Sequence, residues 1–191
     1  MKKISLIAVI LMAFSCSTPE ETQGDYSDLP EGAVLTDFSD DPDVKLATQY
    51  SGPDVSVQGQ YYKGFRTGTW TEYYTGAGSI KSITTYLNGQ KEGIFIQLNQ
   101  QGALEEELSY HKDQPHGPYR KYKRGKVIEE RNYAYGQLDG VVKKFYDNGT
   151  LMEESIFTTG VRNGMAKWYD QEGNLTIEYE YVNGELIKDE E

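Results

Sequence analysis

The chain has 191 residues, of which 37% are hydrophobic and 26% charged, and it carries a net charge of −11 with a pI near 4.7. That length suits one domain, and the acidic balance argues against nucleic acid, whose phosphates call for a basic footprint. No phosphate loop, dinucleotide fingerprint or serine–histidine–aspartate motif occurs, so an enzyme is not expected.

Residues 1–15 read as a secretory signal. Lys2 and Lys3 precede an apolar run from Ile4 to Phe14, too short for the roughly 20 residues that span a bilayer but suited to a signal's apolar region. The only cysteine, Cys16, closes that run after Ala13-Phe14-Ser15. A lone thiol is unusual in a secreted protein. The arrangement resembles a bacterial lipobox, with Ala13 where leucine is commoner, and that resemblance implies lipidation of Cys16. The lipid would hold the protein on a membrane leaflet at about 0.8 kcal/mol per buried methylene. The expected location is the cell envelope, on a bacterial outer membrane, facing the periplasm or the surface.

Beyond Cys16 the composition shifts. Four of the six prolines lie before residue 55, and ten acids between 17 and 54 face a single base, Lys45. Residues 16–31 are expected to be a flexible acidic tether. Residues 32–60 read as a degenerate lead-in repeat, because Phe38, Val44 and Tyr50 are spaced like Phe145, Leu151 and Phe157. Within this region "DFSDDPD" (37–43) lacks the glycine and closing glutamate of a calcium loop.

From residue 61 to 191 the chain repeats, with five full units and a terminal half unit. Each opens on an aromatic (Tyr61, Tyr86, Tyr110, Tyr133, Phe157, Tyr181) at steps of 23 to 25 residues, a period typical of repeat architectures. Fifteen of the 20 glycines fall in three columns: 64, 89, 136, 160 and 184; 68, 93, 117, 140 and 164; 78, 102, 125, 149 and 173. Asn88-Gly89, Asn148-Gly149 and Asn183-Gly184 are hairpin-turn dipeptides, and Asp113 stands in for the first-column glycine of the third unit, as its tolerance of the left-handed region permits. Between the turns lie β-favouring runs such as 68–74 and 80–86, with no helical apolar period. Each unit therefore reads as strand, turn, strand, turn. The expected fold is all-β: a single elongated antiparallel meander sheet built from tandem β-hairpin repeats. A single layer buries little, so the sheet is expected to bend or to form a homodimer through an aromatic face.

Two aromatic columns follow the second glycine. Trp70, Phe95, Tyr119, Val142 and Ala166 lie two residues after it, and Tyr73, Leu98, Tyr122, Phe145 and Tyr169 lie five after it. The ordinary reading is cross-strand packing. The functional reading is an exposed stripe for a peptide, glycan or lipid headgroup, made of Trp70, Tyr73, Phe95, Tyr119, Tyr122, Phe145, Trp168 and Tyr169. Three positions apart, the columns face opposite ways on a flat strand unless a bulge realigns them. The basic run "RKYKRGK" (120–126) is expected to pair with glutamates 105–107 and 129–130, and the glutamate pairs, including 153–154, to face solvent. "HKDQPH" (111–116) holds two histidines and an aspartate in a turn without a third strong ligand, so no metal and no cofactor is expected.

The pattern Y-x-N-G-x-x-x-G-x-aromatic-x-x-aromatic-x-x-x-G-x-Leu/Ile resembles the bacterial variant of the MORN repeat, from about Tyr61 to Lys188. The resemblance implies a non-enzymatic scaffold that binds a protein, envelope or membrane partner. That variant is attached chiefly to YwqK-like antitoxins, which implies an alternative role as an antitoxin or immunity protein against a cognate toxin.

Overall fold

The computed structural model describes residues 24–187. The signal, Cys16 and the first part of the tether lie outside the described residues. The chain forms fifteen strands in order: β1 Val34–Asp37, β2 Val44–Ser51, β3 Asp54–Tyr62, β4 Phe65–Tyr73, β5 Ile80–Leu87, β6 Gln90–Leu98, β7 Leu104–His111, β8 Gln114–Lys123, β9 Lys126–Ala134, β10 Gln137–Leu138, β11 Gly140–Phe145, β12 Leu151–Thr158, β13 Val161–Tyr169, β14 Leu175–Val182 and β15 Glu185–Leu186. All belong to one open antiparallel sheet in which the strands pair in chain order, save that β10 lies off this path, pairing with β9, which passes on directly to β11. The all-β meander is the fold the glycine columns foretell.

The two hairpin edges are built differently. On one edge the tight turns place two successive residues at positive φ, as in Asn88 (50°) and Gly89 (82°), the twist that two-residue hairpins need. Lys112 and Asp113 do the same without glycine, at 49° and 66°. On the other edge most loops are longer, and Asn148-Gly149 is not the two-residue turn expected of it. Tyr146 N donates to Thr150 O at 2.9 Å and Gly149 N to Tyr146 O at 2.8 Å. Asn148 stays out of the left-handed region and uses its side chain instead, accepting from Thr150 N at 2.9 Å.

The second glycine column belongs to the strands. β4 starts at Phe65, three residues before the expected Gly68. In β6, Gly93 (φ 85°) sits where Thr84 pairs Phe95 and Tyr86 pairs Lys91, so three residues of β6 oppose one of β5. Glycine accommodates such a bulge because it reaches positive φ without a Cβ clash. Thr85 Oγ1 then donates toward the carbonyl groups the bulge frees, reaching Glu92 O at 2.5 Å and Ile94 O at 3.1 Å.

Successive units are bonded to each other along the tight-turn edge. Gly89 N donates to Arg66 O, Asp113 N to Lys91 O, Gly136 N to Pro115 O, Gly160 N to Leu138 O and Gly184 N to Arg162 O, at 2.7 to 3.0 Å. Each turn therefore seats on the strand that follows the turn before it.

Burial is thin, as a single layer requires. Among the described residues the buried apolar side chains are Ala47, Tyr61, Trp70, Val142 and Ala166. The densest packing lies at the amino end, where Tyr26, Leu29, Leu35, Val57 and Tyr86 surround Ala47, Tyr61 and Trp70. Tyr26 and Leu29 belong to the stretch expected to be a free tether. From Gly24 onward that stretch instead lies across the sheet, with Gly24 N donating to Lys63 O at 2.7 Å. In the stretch expected to be a lead-in repeat, Val44 starts β2, and Leu151 starts β12.

Candidate binding surface

One face of the sheet carries the opening aromatics and the first aromatic column. Their rings meet edge to face: Tyr61 with Trp70 at 5.3 Å, Trp70 with Tyr86 at 6.1 Å, Phe95 with Tyr110 at 6.2 Å and Tyr119 with Tyr133 at 6.4 Å between centroids. Such pairs contribute about 0.5–1.5 kcal/mol each beyond the area they bury. Two residues after the first-column glycine stands a cation in three units, lying over the opening aromatic of the next. Arg66 Cζ is 5.4 Å from the Tyr86 ring, Lys91 Nζ 5.0 Å from Tyr110 and Arg162 Cζ 5.0 Å from Tyr181. Arg66 also lies 4.2 Å from Trp70. This basic column has the repeat's own period in the sequence, but Pro115 and Leu138 interrupt it.

The first unit of this face is occupied by the chain itself. Asp28 accepts from the Tyr61 hydroxyl at 2.9 Å, and its Oδ2 lies 2.6 Å from Arg66 Nε in an ion pair. Arg66 Nη2 donates to the Asp28 carbonyl. The Tyr26 ring packs 5.0 Å from Tyr61. Burial pushes the Tyr61 phenol up to about 12, against the opposing pull of Arg66.

Trp70, expected on an exposed stripe, is instead interior, with 4% of its surface exposed. Gly59 is the reason: a Cβ there would come 2.1 Å from Trp70 Cδ2, so the indole lies directly on the β3 backbone. Phe95, Tyr119 and Trp168 are half-buried in ring contacts, Trp168 at 6.0 Å from Tyr179. Tyr73, Tyr122, Phe145 and Tyr169 are half-buried as well. They fall at register shifts: Tyr73 pairs Ile80 while Glu72 pairs Ser82, and Tyr122 pairs Val127 while Lys121 pairs Glu129. The extra residue, Lys81 or Ile128, sits on the partner strand, so the strand that bears both columns alternates undisturbed. Accordingly Tyr119 donates to Glu106 at 3.2 Å and Tyr122 to Glu107 at 2.8 Å. Adjacent strand residues point to opposite faces. The two columns therefore do not form one stripe in this unit.

The opposite face is a lattice of charges. Arg120 pairs Glu107 at 2.8 Å and Glu130 at 3.2 Å, and Lys143 pairs Glu154 at 3.6 Å. Hydrogen bonds from Arg120 and Tyr122 hold the Glu107 carboxyl below its ordinary range. Glu153 departs from the solvent-facing role expected of it. It is buried, with Lys144 at 2.8 Å, Arg162 at 3.1 Å and Ser155 Oγ at 3.1 Å. Burial alone would raise its pKa, but Lys144, Ser155 and Arg162 together bring it below 4.5. His111 Nδ1 lies 3.0 Å from Glu92 Oε1, and Asp113 Oδ1 accepts from Lys91 N at 2.8 Å, so the "HKDQPH" side chains serve neighbouring turns. Among the described residues no three His, Cys, Asp or Glu side chains gather as a metal site, and no helix is long and apolar enough to cross a membrane.

Comparison with known proteins adds a repeat match over part of this sheet. No curated protein matches the chain. Two solved structures align with it at 9% identity: TarM, with a TM-score of 0.34 over 74% of this chain, and a mutant of S. aureus TarM in complex with fondaparinux, alpha-GlcNAc-glycerol and UDP, with a TM-score of 0.31 over 88%. The chain spans 25% of the length of each, and likeness at that level carries no argument about activity. Residues 138–158 and 162–183 match the MORN repeat variant. These segments run from β10 through β12 and from β13 into the last turn, so each holds one hairpin unit. The chain thus carries the MORN repeat variant in its carboxyl-terminal units, which points to a non-enzymatic repeat module of a kind that binds proteins or membranes.

Proposed function

We propose that this chain is a lipid-anchored adaptor of the bacterial cell envelope, which holds a protein partner along the aromatic face of its repeat sheet. The observation that carries this reading is the seating of residues 24–29 on that face. A peptide segment contributes a carboxylate to Arg66 and Tyr61 and a ring to Tyr61. The surface thus presents what peptide recognition uses: aromatic area at low entropy cost and cations set over rings. The anchor in this reading is Cys16, with the acidic residues after it separating the sheet from the leaflet.

Affinity purification of the tagged full chain from native envelopes tests the adaptor role. The expected result is a co-purifying protein retained through high-salt washing and lost when aromatic-face residues are replaced. The anchor is tested separately. Cys16→Ser releases the protein from membranes, and a variant that stays bound in high salt overturns lipidation. The antitoxin or immunity reading rests on the repeat family, and relief of a neighbouring toxin's effect by co-expression would establish it in place of the adaptor.

A further inference from the structure

The cation column differs from unit to unit in one respect: where each cation finds its negative charge. Arg66 receives Asp28 from the amino-terminal segment. Arg162 receives the buried Glu153 of its own sheet at 3.1 Å. Pro115 and Leu138 replace the cation in the units between. Lys91 alone among these positions has no carboxylate on its ammonium among the described residues. Its side chain lies over Tyr110, while Asp113, the acid that touches this residue, bonds its backbone amide.

The surroundings of Lys91 reproduce those of Arg66 one unit further on. Tyr61 pairs Arg66 across the strands as Tyr86 pairs Lys91. Trp70 stacks on Tyr86 as Phe95 stacks on Tyr110. Tyr86, Phe95 and Tyr110 are half-buried; Tyr86 borders the cluster that Tyr26 and Leu29 join, and Phe95 and Tyr110 lie outside it. The first position is filled by Asp-Tyr-Ser-Asp, whose last aspartate meets the cation and whose tyrosine meets the opening aromatic.

We infer that Lys91, with Tyr86, Phe95 and Tyr110, is a docking position for an acidic, tyrosine-bearing peptide supplied by a partner protein and held, like residues 25–28, in a turn. This rests on the adaptor reading and names the chemistry of the partner. The carboxylate is the specifying group, because an ammonium above a ring is already attracted to the ring and gains most from a second, anionic ligand. The tyrosine supplies area against Tyr86, as Tyr26 does against Tyr61. A neutral or basic peptide lacks the group that meets Lys91 and is not retained.

The probe is a labelled synthetic peptide with the sequence of residues 24–31, titrated with the full chain and read by fluorescence anisotropy. Saturable binding is expected. Lys91→Ala weakens it about tenfold, the worth of one charge-assisted hydrogen bond. Lys91→Glu abolishes it, and replacing the peptide's aspartates by lysine restores binding to that variant. Lys91→Gln serves if charge reversal prevents folding, which circular dichroism reports. Three results overturn the inference: an affinity indifferent to Lys91, binding lost with Arg66→Ala alone because the peptide merely exchanges into the first position, or binding that appears only after Glu20→Gln and Glu21→Gln, which means the chain's own upstream acids fill the position. A partner captured from envelopes that ignores Lys91 removes this inference and leaves the adaptor reading. Peptide binding at Lys91 with no envelope partner does the reverse.

Discussion

Gly59→Ala tests whether the amino-terminal packing depends on an absent side chain. Gly59 needs no positive φ, so alanine fits the local backbone, and the nearest obstacle is Trp70. The added methyl would lie 2.1, 2.3 and 2.4 Å from three indole carbons, against an ordinary carbon contact of about 3.5–4.0 Å. The ring must therefore move by roughly 1.5 Å in a site where it is also held by a hydrogen bond from its Nε1 to Gln60 O at 3.1 Å. Overpacking of this kind costs about 1–3 kcal/mol, with a ceiling near the 3–5 kcal/mol of losing the indole altogether. At about 2–4 °C per kcal/mol for a chain of this size, the amino-terminal units should melt about 2–12 °C lower. The chain has two tryptophans, so Trp70 fluorescence in a Trp168→Phe background reports those units alone. Trp70→Leu, read by circular dichroism because it lacks the reporter ring, removes most of the penalty and leaves a coupling of about 1–2 kcal/mol between the two sites. A Gly59→Ala transition within about 0.5 kcal/mol of the parent, the range of an ordinary surface change, would refute the reasoning.

Three further outcomes follow from other units. Glu153→Gln should destabilise the carboxyl-terminal units by about 1–3 kcal/mol, as Lys144 and Arg162 lose their shared carboxylate. Because the folded pKa of Glu153 lies below 4.5, its contribution is present above that pH and lost as pH falls through the depressed value. Urea midpoints measured down the acid range should therefore fall for the parent and flatten for the variant. At the alkaline end, burial raises Tyr61 and Tyr119 to about 12. The stability they confer is complete below 10 and should vanish as pH rises through 12, read as phenolate absorbance appearing together with unfolding. Asp113→Ala should cost about 1–2 kcal/mol more than Asp113→Gly in urea unfolding. Both lose the bond to Lys91 N, but only alanine keeps a Cβ at a φ of 66° without a compensating hydrogen bond.

The glycine spacing makes the fold legible, because turns and bulges act on the backbone where they stand. What it conceals is which of the two each glycine makes. Gly68 and Gly93 interrupt a strand, yet their neighbours read like those of a turn, since either geometry needs the same residue. The burial of Trp70 is written at Gly59, on the neighbouring strand, where an empty position looks like one more glycine. The burial of Glu153 needs Lys144 and Arg162, each nine residues away on a flanking strand. Asp28 is harder still to foresee: the residue it caps, Tyr61, lies 33 positions further on, and an aspartate among prolines reads as tether. The aromatic columns are visible in the sequence, but their assignment to opposite faces depends on a register shift carried by the partner strand.

The amino-terminal segment gives an otherwise uniform ribbon a direction under load. Among the described residues each hairpin grips the ones beside it, and the β3–β4 hairpin is also clamped from above by Asp28. Pulling from the carboxyl end should peel units singly, in sawtooth steps of about 80 Å for two dozen released residues. The clamped hairpin should yield last and at the highest force.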